Sequence, residues 1–337
     1  MIKAFLGEPA ENNLVICRLC AHECRIAEGK TGVCRVRKNL SGELFSLNSD
    51  RVIAANIDPI EKKPLYHFLP GSRSFSIAAM GCNFSCRFCQ NHSISMVDEK
   101  TVIQGEAIAP EQLVALARKN RAHSISYTYT EPTVFFELAL ETARLAHAAG
   151  LRNVLVSNGY MSARALAMLG PFLDGANIDL KSFSDDFYKT YCSARLGPVL
   201  ETIRSMKAMG IWIEVTTLLI PGLNDEPREI ASLVAFLCDL DRDIPWHVSR
   251  FFPHYRMEGV PPTAAASIHA FLQLAGESGL RFPYGGNLAD SRWSDTRCPN
   301  CHETVIARCG YEVEISGLRS GNCRFCGVKL PGVWNGD

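Results

Sequence analysis

Residues 76–92 read SIAAMGCNFSCRFCQNH, and this stretch decides how the rest of the chain is understood. The apolar run Phe75 to Met80 has strand character and breaks at Gly81 into a loop bearing Cys82, Cys86 and Cys89, with Phe88 just before the last thiol. Three thiolates on one tight loop suit a cubane iron-sulfur cluster, because thiolate is the preferred ligand of that iron. With three protein ligands, one iron of a 4Fe-4S cluster stays open to a small molecule that carries an amine and a carboxylate. The competing readings are reduced thiols without a ligand, or half of a zinc site. Cys86-Arg-Phe-Cys89 recurs as Cys323-Arg-Phe-Cys326, but the position matching Cys82 is there Arg319, so only the first copy has the third thiol.

The 337 residues predict one large domain with appendages, or two domains. Basic and acidic residues balance at 35 each, which disfavours a polyanionic partner such as nucleic acid. The opening MIKAFLGEPAENNLVIC lacks the apolar centre of a signal peptide, and no run approaches the roughly 20 apolar residues of a membrane helix. A cytoplasmic protein without membrane association is expected. In that setting fourteen cysteines read as metal ligands rather than disulfides. Cys192 and Cys238 stand alone in helical patterns and read as small core residues.

Residues 1–72 form a cysteine-rich segment and linker. CRLCAHECRIAEGKTGVC places Cys17, Cys20, Cys24 and Cys34 at intervals of two, three and nine residues, unlike the ferredoxin run. Structural zinc is the first reading of this quartet, a second iron-sulfur cluster and free thiols are the alternatives, and a metal would help fold a segment poor in apolar residues. His22 reads as a solvated neighbour. Residues 43–57 suggest a strand pair, and DPIEKKPLYHFLPG a proline-punctuated linker.

From residue 73 to 288 short apolar runs alternate with helical patterns. Strands are expected at 75–80, 124–129, 152–157, 175–180, 211–219 and 245–251. Helices are expected at 110–120, 133–149, 162–169, 184–191, 198–209, 226–240 and 263–278. Six strand-helix units imply an α/β fold with a parallel sheet, either doubly wound or a partial barrel. Chemistry in such folds gathers after the carboxyl ends of strands. Thr130-Glu131-Pro132 follows the second strand, Ser157-Asn158-Gly159 the third, Asp179 and Lys181 end the fourth, Pro221-Gly222-Leu223-Asn224 follows the fifth and His254 the sixth. A lysine and a glutamate at such positions pair the charges of a zwitterionic ligand entering a dry site. Alternatively Asp179 and Lys181 form a structural ion pair, and His247 and His254 are rim histidines. Tyr127 and Tyr129 read as strand side chains.

Residues 289–337 form a third unit. Cys298-Pro-Asn-Cys301 and Cys323-Arg-Phe-Cys326 are two knuckles separated by 21 residues, with a hairpin TVIARCGYEVEI between them, close to the zinc-ribbon pattern. Cys309 reads as a surplus strand thiol.

The cysteine spacing, the aromatic before the third thiol and the place at a strand end resemble the radical S-adenosylmethionine superfamily. Residues 73 to about 285 are similar to pyruvate formate-lyase activating enzyme, which implies an incomplete, TIM-like (β/α)6 barrel. By this resemblance YTYTEP keeps Glu131 where the family meets the S-adenosylmethionine amine, without that family's glycines, and NIDLKSF supplies Asp179 and Lys181 for ribose and carboxylate. VSNG carries Val156 where the family has an acid, while Thr130, Ser157, Asn158 and His254 complete the expected binding set. The whole chain, including both cysteine-rich ends, resembles the radical enzyme of the AmmeMemoRadiSam system. That implies reductive cleavage of S-adenosylmethionine at the cluster to methionine and a 5'-deoxyadenosyl radical, hydrogen abstraction from an unidentified substrate, Memo-like and AMMECR-type partner proteins, and an electron donor such as flavodoxin or ferredoxin. A glycyl-radical-enzyme activase is the alternative.

Overall fold

The computed structural model describes residues 1–98, 100–288 and 291–334. Among them, eight strands form one sheet: β1 (Ala54–Pro59), β2 (Arg73–Ala78), β3 (Ser124–Tyr127), β4 (Arg152–Ser157), β5 (Gly175–Asp179), β6 (Trp212–Leu219), β7 (Trp246–Arg250) and β8 (Pro283–Gly286). Neighbours in sequence are neighbours in space throughout, and β2 to β8 run parallel while β1 pairs antiparallel with β2. This order has no reversal, which excludes the doubly wound alternative. β1 and β8 are the two edges of the described ladder.

The helices are α1 (Pro110–Lys119), α2 (Phe136–Ala148), α3 (Ala163–Leu169), α4 (Leu196–Ala208), α5 (Pro227–Leu240) and α6 (Ala265–Glu277). Proline opens α1 and α5 at positions where its missing N–H costs nothing. In α2 the buried stripe is Phe136, Leu138, Ala139, Thr142, Ala143 and Ala146, spaced to face the sheet. One continuous core joins these helices to the buried strands Ile77, Ile125, Leu155, Ile178, Val215 and Val248.

Several expectations require correction. Residues 43–57 are not a pair: Glu43–Ser46 pairs with Arg37–Leu40 and Ile2–Lys3 in a separate small sheet, whereas 54–59 joins the large one. The supposed linker is buried, with Ile60, Leu65 and Phe68 packed on Val154. Its amides at Tyr66 and His67 donate to the Glu214 carboxylate at 2.9 and 2.7 Å, so prolines here shape a plug rather than a flexible tether. A seventh parallel strand, β8, was not anticipated, because PYGG lacks β-propensity. Its glycines answer to space: a Cβ on Gly286 would meet Ser249 Oγ at 2.3 Å. Tyr129 lies beyond the strand at φ 65°, its hydroxyl donating to Asp58. The helix expected at 184–191 is a single turn, Asp185–Phe187, running into a π-helical turn, Tyr188–Cys192.

The cysteine-rich ends occupy opposite poles. The amino-terminal segment docks on loops after β2 and β4: Ala21 N–H donates to Tyr160 O and Ser162 N–H to Leu19 O, both at 3.0 Å. The carboxyl-terminal unit has the expected hairpin, Thr304–Cys309 with Glu312–Glu314. It packs against residues at the amino ends of the strands. There Arg308 donates to Tyr66 O at 2.8 Å, and His67 approaches Pro331 O at 2.8 Å and the Tyr284 hydroxyl at 2.6 Å. The expected start of this unit at residue 289 and its last three residues lie outside the described residues.

Candidate active site

Three buried or half-buried thiols follow β2. Gly81 makes the break at φ 109°, and a Cβ there would meet Val36 at 2.8 Å. Cys82 Sγ accepts from the Phe84 amide at 3.3 Å, and Cys89 Sγ lies 3.1 Å from Ser95 Oγ on the short helix His92–Ser95. Cys86 is held from below. The π-helical turn presents the carbonyls of Cys192 and Tyr191, which accept from the amides of Ser85 and Arg87 at 3.0 Å each. Such a turn frees backbone groups for partners outside its own helix.

Burial pushes the Cys82 thiol up, and the Glu131 carboxylate and Cys86 add to it. Burial likewise raises Cys89. Cys86 is lowered, first by the hydrogen bond from the Cys192 thiol and also by the Lys181 ammonium. Cys192 is thus buried as expected, but it is a neighbour of the central loop and not merely core filler. Three soft donors on one loop, with amides and a lysine directed at them, fit an iron-sulfur cluster.

Glu131 and Asn158 meet beside Cys82. Glu131 Oε1 accepts from the Thr133 amide (3.0 Å), the Thr133 hydroxyl (2.6 Å) and the Ser157 hydroxyl (2.8 Å), while Oε2 accepts from the Asn158 amide (2.8 Å). Burial raises its pKa against these four bonds. The Asn158 side chain donates to Asn83 Oδ1 at 2.7 Å and approaches Cys82 Sγ at 3.8 Å. Thr130 Oγ1 donates to Ala79 O at 2.6 Å, tying the loop after β3 to the end of β2.

Across the loop, Lys181 Nζ donates to Asp179 at 2.9 Å and stands 5.9 Å above the Phe88 ring. Burial opposes its charge, but Asp179 and the thiols Cys86 and Cys192 outweigh burial and raise the pKa well above its ordinary value. The Tyr188 hydroxyl accepts from the Lys181 amide at 3.0 Å, so the π-helical turn positions this strand end as well.

His254 reaches the same end of the sheet. Its ring is 5.2 Å from that of His92, which stacks on Tyr255 at 4.4 Å, and His254 Nε2 and His92 Nδ1 are buried without protein partners. His247 lies elsewhere: near the amino end of β7 it pairs with the buried Glu214 at 2.7 Å, as a structural group.

The expected binding residues therefore gather around one loop. Sequence reading missed His92, Asn83 and the turn carrying Tyr188 and Cys192. His92 and Asn83 had a local signal, three positions after Cys89 and one after Cys82. The turn comes from another part of the chain and its approach depends on packing.

Two further thiol groups stand apart. Cys298, Cys301, Cys323 and Cys326 have sulfurs all within 4.8 Å of one another, with Cys298 to Cys326 at 3.5 Å and Cys301 to Cys323 at 3.7 Å. Hydrogen bonds from the Asn300 side chain and Val328 backbone lower the Cys326 thiol below its ordinary range. Such donors fit one tetrahedral ion. Cys17, Cys20, Cys24 and Cys34 line a common cavity with His22 and Arg37. His22 is no simple solvated neighbour: its Nε2 lies 2.8 Å from Asn83 O, next to Cys82.

Comparison with known proteins agrees with this geometry. Residues 77–234 match the Radical SAM superfamily model. An uncharacterized protein of Methanocaldococcus jannaschii is 40% identical over 98% of this chain and 99% of its own length. The isethionate sulfite-lyase activating enzyme of Nitratidesulfovibrio vulgaris is 27% identical, over 52% of this chain and 59% of its own. SuiB of Streptococcus suis shares the fold, with a TM-score of 0.51 at 12% identity over 68% of this chain and 52% of that one. No described helix is long and apolar enough to cross a membrane. With its three-cysteine loop at the end of β2, inside the matched segment, this chain belongs to the radical SAM superfamily.

Proposed function

We propose that Cys82, Cys86 and Cys89 hold a 4Fe-4S cluster and that the chain reductively cleaves S-adenosylmethionine. When bound, the two groups supply an electron and a sulfonium whose cleavage yields methionine and a 5'-deoxyadenosyl radical able to abstract hydrogen from a substrate. The observation that carries this reading is the convergence of three thiols, the Asp179–Lys181 pair and the Glu131–Asn158 clasp at one end of a parallel sheet.

In this reading Lys181 meets the ligand carboxylate and Asp179 a ribose hydroxyl. Glu131 acts chiefly by fixing Ser157 and Asn158, since four hydrogen bonds already occupy it. Thr130 holds the neighbouring loop, and His254 offers a buried nitrogen without a protein partner to the ligand. The sheet curls as a partial barrel whose mouth excludes water from these groups. Cys298, Cys301, Cys323 and Cys326 bind zinc in a ribbon-like module at the far pole.

The substrate is taken within the AmmeMemoRadiSam system, with Memo-like and AMMECR-type proteins as partners, a flavodoxin or ferredoxin as electron donor, and a cytoplasmic setting. Resemblance of the quoted segments along the chain, both cysteine-rich ends included, supports this. Activation of a glycyl-radical enzyme is the second reading, favoured by the relative named as an isethionate sulfite-lyase activating enzyme.

Anaerobic incubation of reconstituted protein with dithionite and S-adenosylmethionine tests the central claim. Methionine and 5'-deoxyadenosine are expected in equal amounts, and their loss in Cys86→Ala. Absence of iron after reconstitution overturns it.

A further inference from the structure

We infer that Cys17, Cys20, Cys24 and Cys34 hold a second, polynuclear iron-sulfur cluster rather than a single zinc ion. The inference goes beyond the reading of the central loop and rests on separate residues.

Thiol spacing is the first argument. A tetrahedral zinc with Zn–S of about 2.3 Å draws its sulfurs to about 3.8 Å from one another. The carboxyl-terminal quartet has that compactness, with pairs at 3.5 and 3.7 Å and every sulfur within 4.8 Å of the rest. Among the described residues no other three cysteine, histidine or carboxylate ligand atoms come within 4.8 Å of one another. The amino-terminal quartet nevertheless lines a single cavity. Its thiols converge on one space but stand further apart than one ion gathers them. The central trio shows the same wide spacing. A cluster, which puts an iron under each thiolate around a sulfide core, needs that wider frame.

Charge is the second and independent argument. Arg37 lines the same cavity, is 1% exposed, and has Nε without a hydrogen-bond partner. Nη2 pairs with Glu137 at 2.7 Å and Nη1 donates to Phe5 O at 3.4 Å, which leaves the Nε hydrogen as the one without a protein acceptor. A buried N–H left without an acceptor costs about 1–3 kcal/mol. Four thiolates around a cluster carry excess negative charge, and Arg37 Nε is the matching donor to sulfur.

Location gives the site a purpose. The quartet sits at the carboxyl ends of the strands, and His22, between Cys20 and Cys24, is 2.8 Å from the carbonyl of Asn83. Asn83 both lines the quartet's cavity and adjoins Cys82. A hydrogen bond between His22 and Asn83 thus joins the segments that carry the two cysteine sites, whereas the compact quartet is at the opposite pole.

The test uses the full chain, reconstituted anaerobically with iron and sulfide, in a triple variant Cys82→Ala, Cys86→Ala, Cys89→Ala. It is expected to keep about two to four irons per chain, as all-cysteine clusters hold, together with about one zinc, and to give a paramagnetic signal on reduction with dithionite. In the otherwise native chain, Cys20→Ser with Cys34→Ser removes that same iron and leaves zinc unchanged. Iron in the native protein, but none in the triple variant and about two zincs per chain, overturns this inference while sparing the central cluster. Should the triple variant not fold, the double variant decides: loss of one zinc with iron unchanged overturns the proposal, and loss of iron supports it. A native protein without iron defeats both assignments.

Discussion

The hydroxyl of Ser157 donates a 2.8 Å hydrogen bond to Oε1 of Glu131, joining the end of β4 to the loop after β3. The Asn158 amide completes the clasp on Oε2, and the Asn158 side chain then reaches Asn83 beside Cys82. Each donor faces a carboxylate that is 2% exposed. Glu131→Gln turns one acceptor into a donor against these groups and is expected to cost about 1–3 kcal/mol, the range for a buried polar group left unsatisfied. Urea denaturation measures the loss, and a lower iron content on the same sample shows that it reaches the cysteine loop. An unchanged midpoint means the clasp carries no stability.

Lys181 pairs with Asp179 and faces Phe88, so charge and position are separable there. Lys181→Met is expected to weaken S-adenosylmethionine binding at least tenfold, about 1.4 kcal/mol or more, while Lys181→Arg restores part of it. Equilibrium dialysis against the reconstituted protein reads the effect. Equal affinity for the native chain and the methionine variant removes Lys181 from the binding set.

At the far pole, burial lowers the pKa of His67 from its ordinary 6.5 to about 4. Its Nδ1 donates to Pro331 O and its Nε2 accepts from the Tyr284 hydroxyl, an arrangement that needs the neutral ring. The unfolded chain takes up this proton first as pH falls, so stability is lost from about pH 6.5 down to about 4, by about 3 kcal/mol in all. Glu214, whose carboxyl the His247 bond holds low against burial, extends the loss in the same direction below its ordinary 4.5. His67→Gln should flatten the upper part of this profile in denaturation series at stepped pH; an identical slope in both proteins refutes the assignment.

Gly286 leaves no room for a side chain, since a Cβ would lie 2.3 Å from Ser249 Oγ and 3.4 Å from Ser249 Cα. Gly286→Ala is expected to destabilise by about 1–3 kcal/mol, the usual range for overpacking. Thermal unfolding of the two proteins side by side checks it, and a shift toward higher temperature counts against the close approach of β7 and β8.

Removing metal from the compact quartet should leave the rest of the chemistry standing. Cys298→Ser is predicted to lose about one zinc while keeping iron and deoxyadenosine formation, because the quartet lies at the amino ends of the strands. Loss of iron in this variant would show that the two poles are coupled.

Much of this was readable along the chain. Strand-helix alternation pointed to a parallel α/β sheet because side-chain periodicity is a local property, set by how each residue meets its neighbours on a helix or strand. The same is true of Cys82, Cys86 and Cys89, whose spacing on one loop is fixed by the backbone between them. The strand β8 was hidden because its glycines exist for their neighbours on β7, not for their own propensity. Residues 58–71 read as a linker because their prolines are visible in sequence, while Glu214, which anchors them, is about 150 residues away.

Tertiary structure alone decided which cysteines are neighbours. It put Cys192 against Cys86, His92 beside His254 and the amino-terminal quartet next to Asn83, and sent the repeated Cys-Arg-Phe-Cys to the opposite pole. The sequence determined which residues are able to bind metal, since that is a property of the side chain. Where each set sits, and how widely its sulfurs are held apart, follows from the packing of distant segments, which no local spacing encodes.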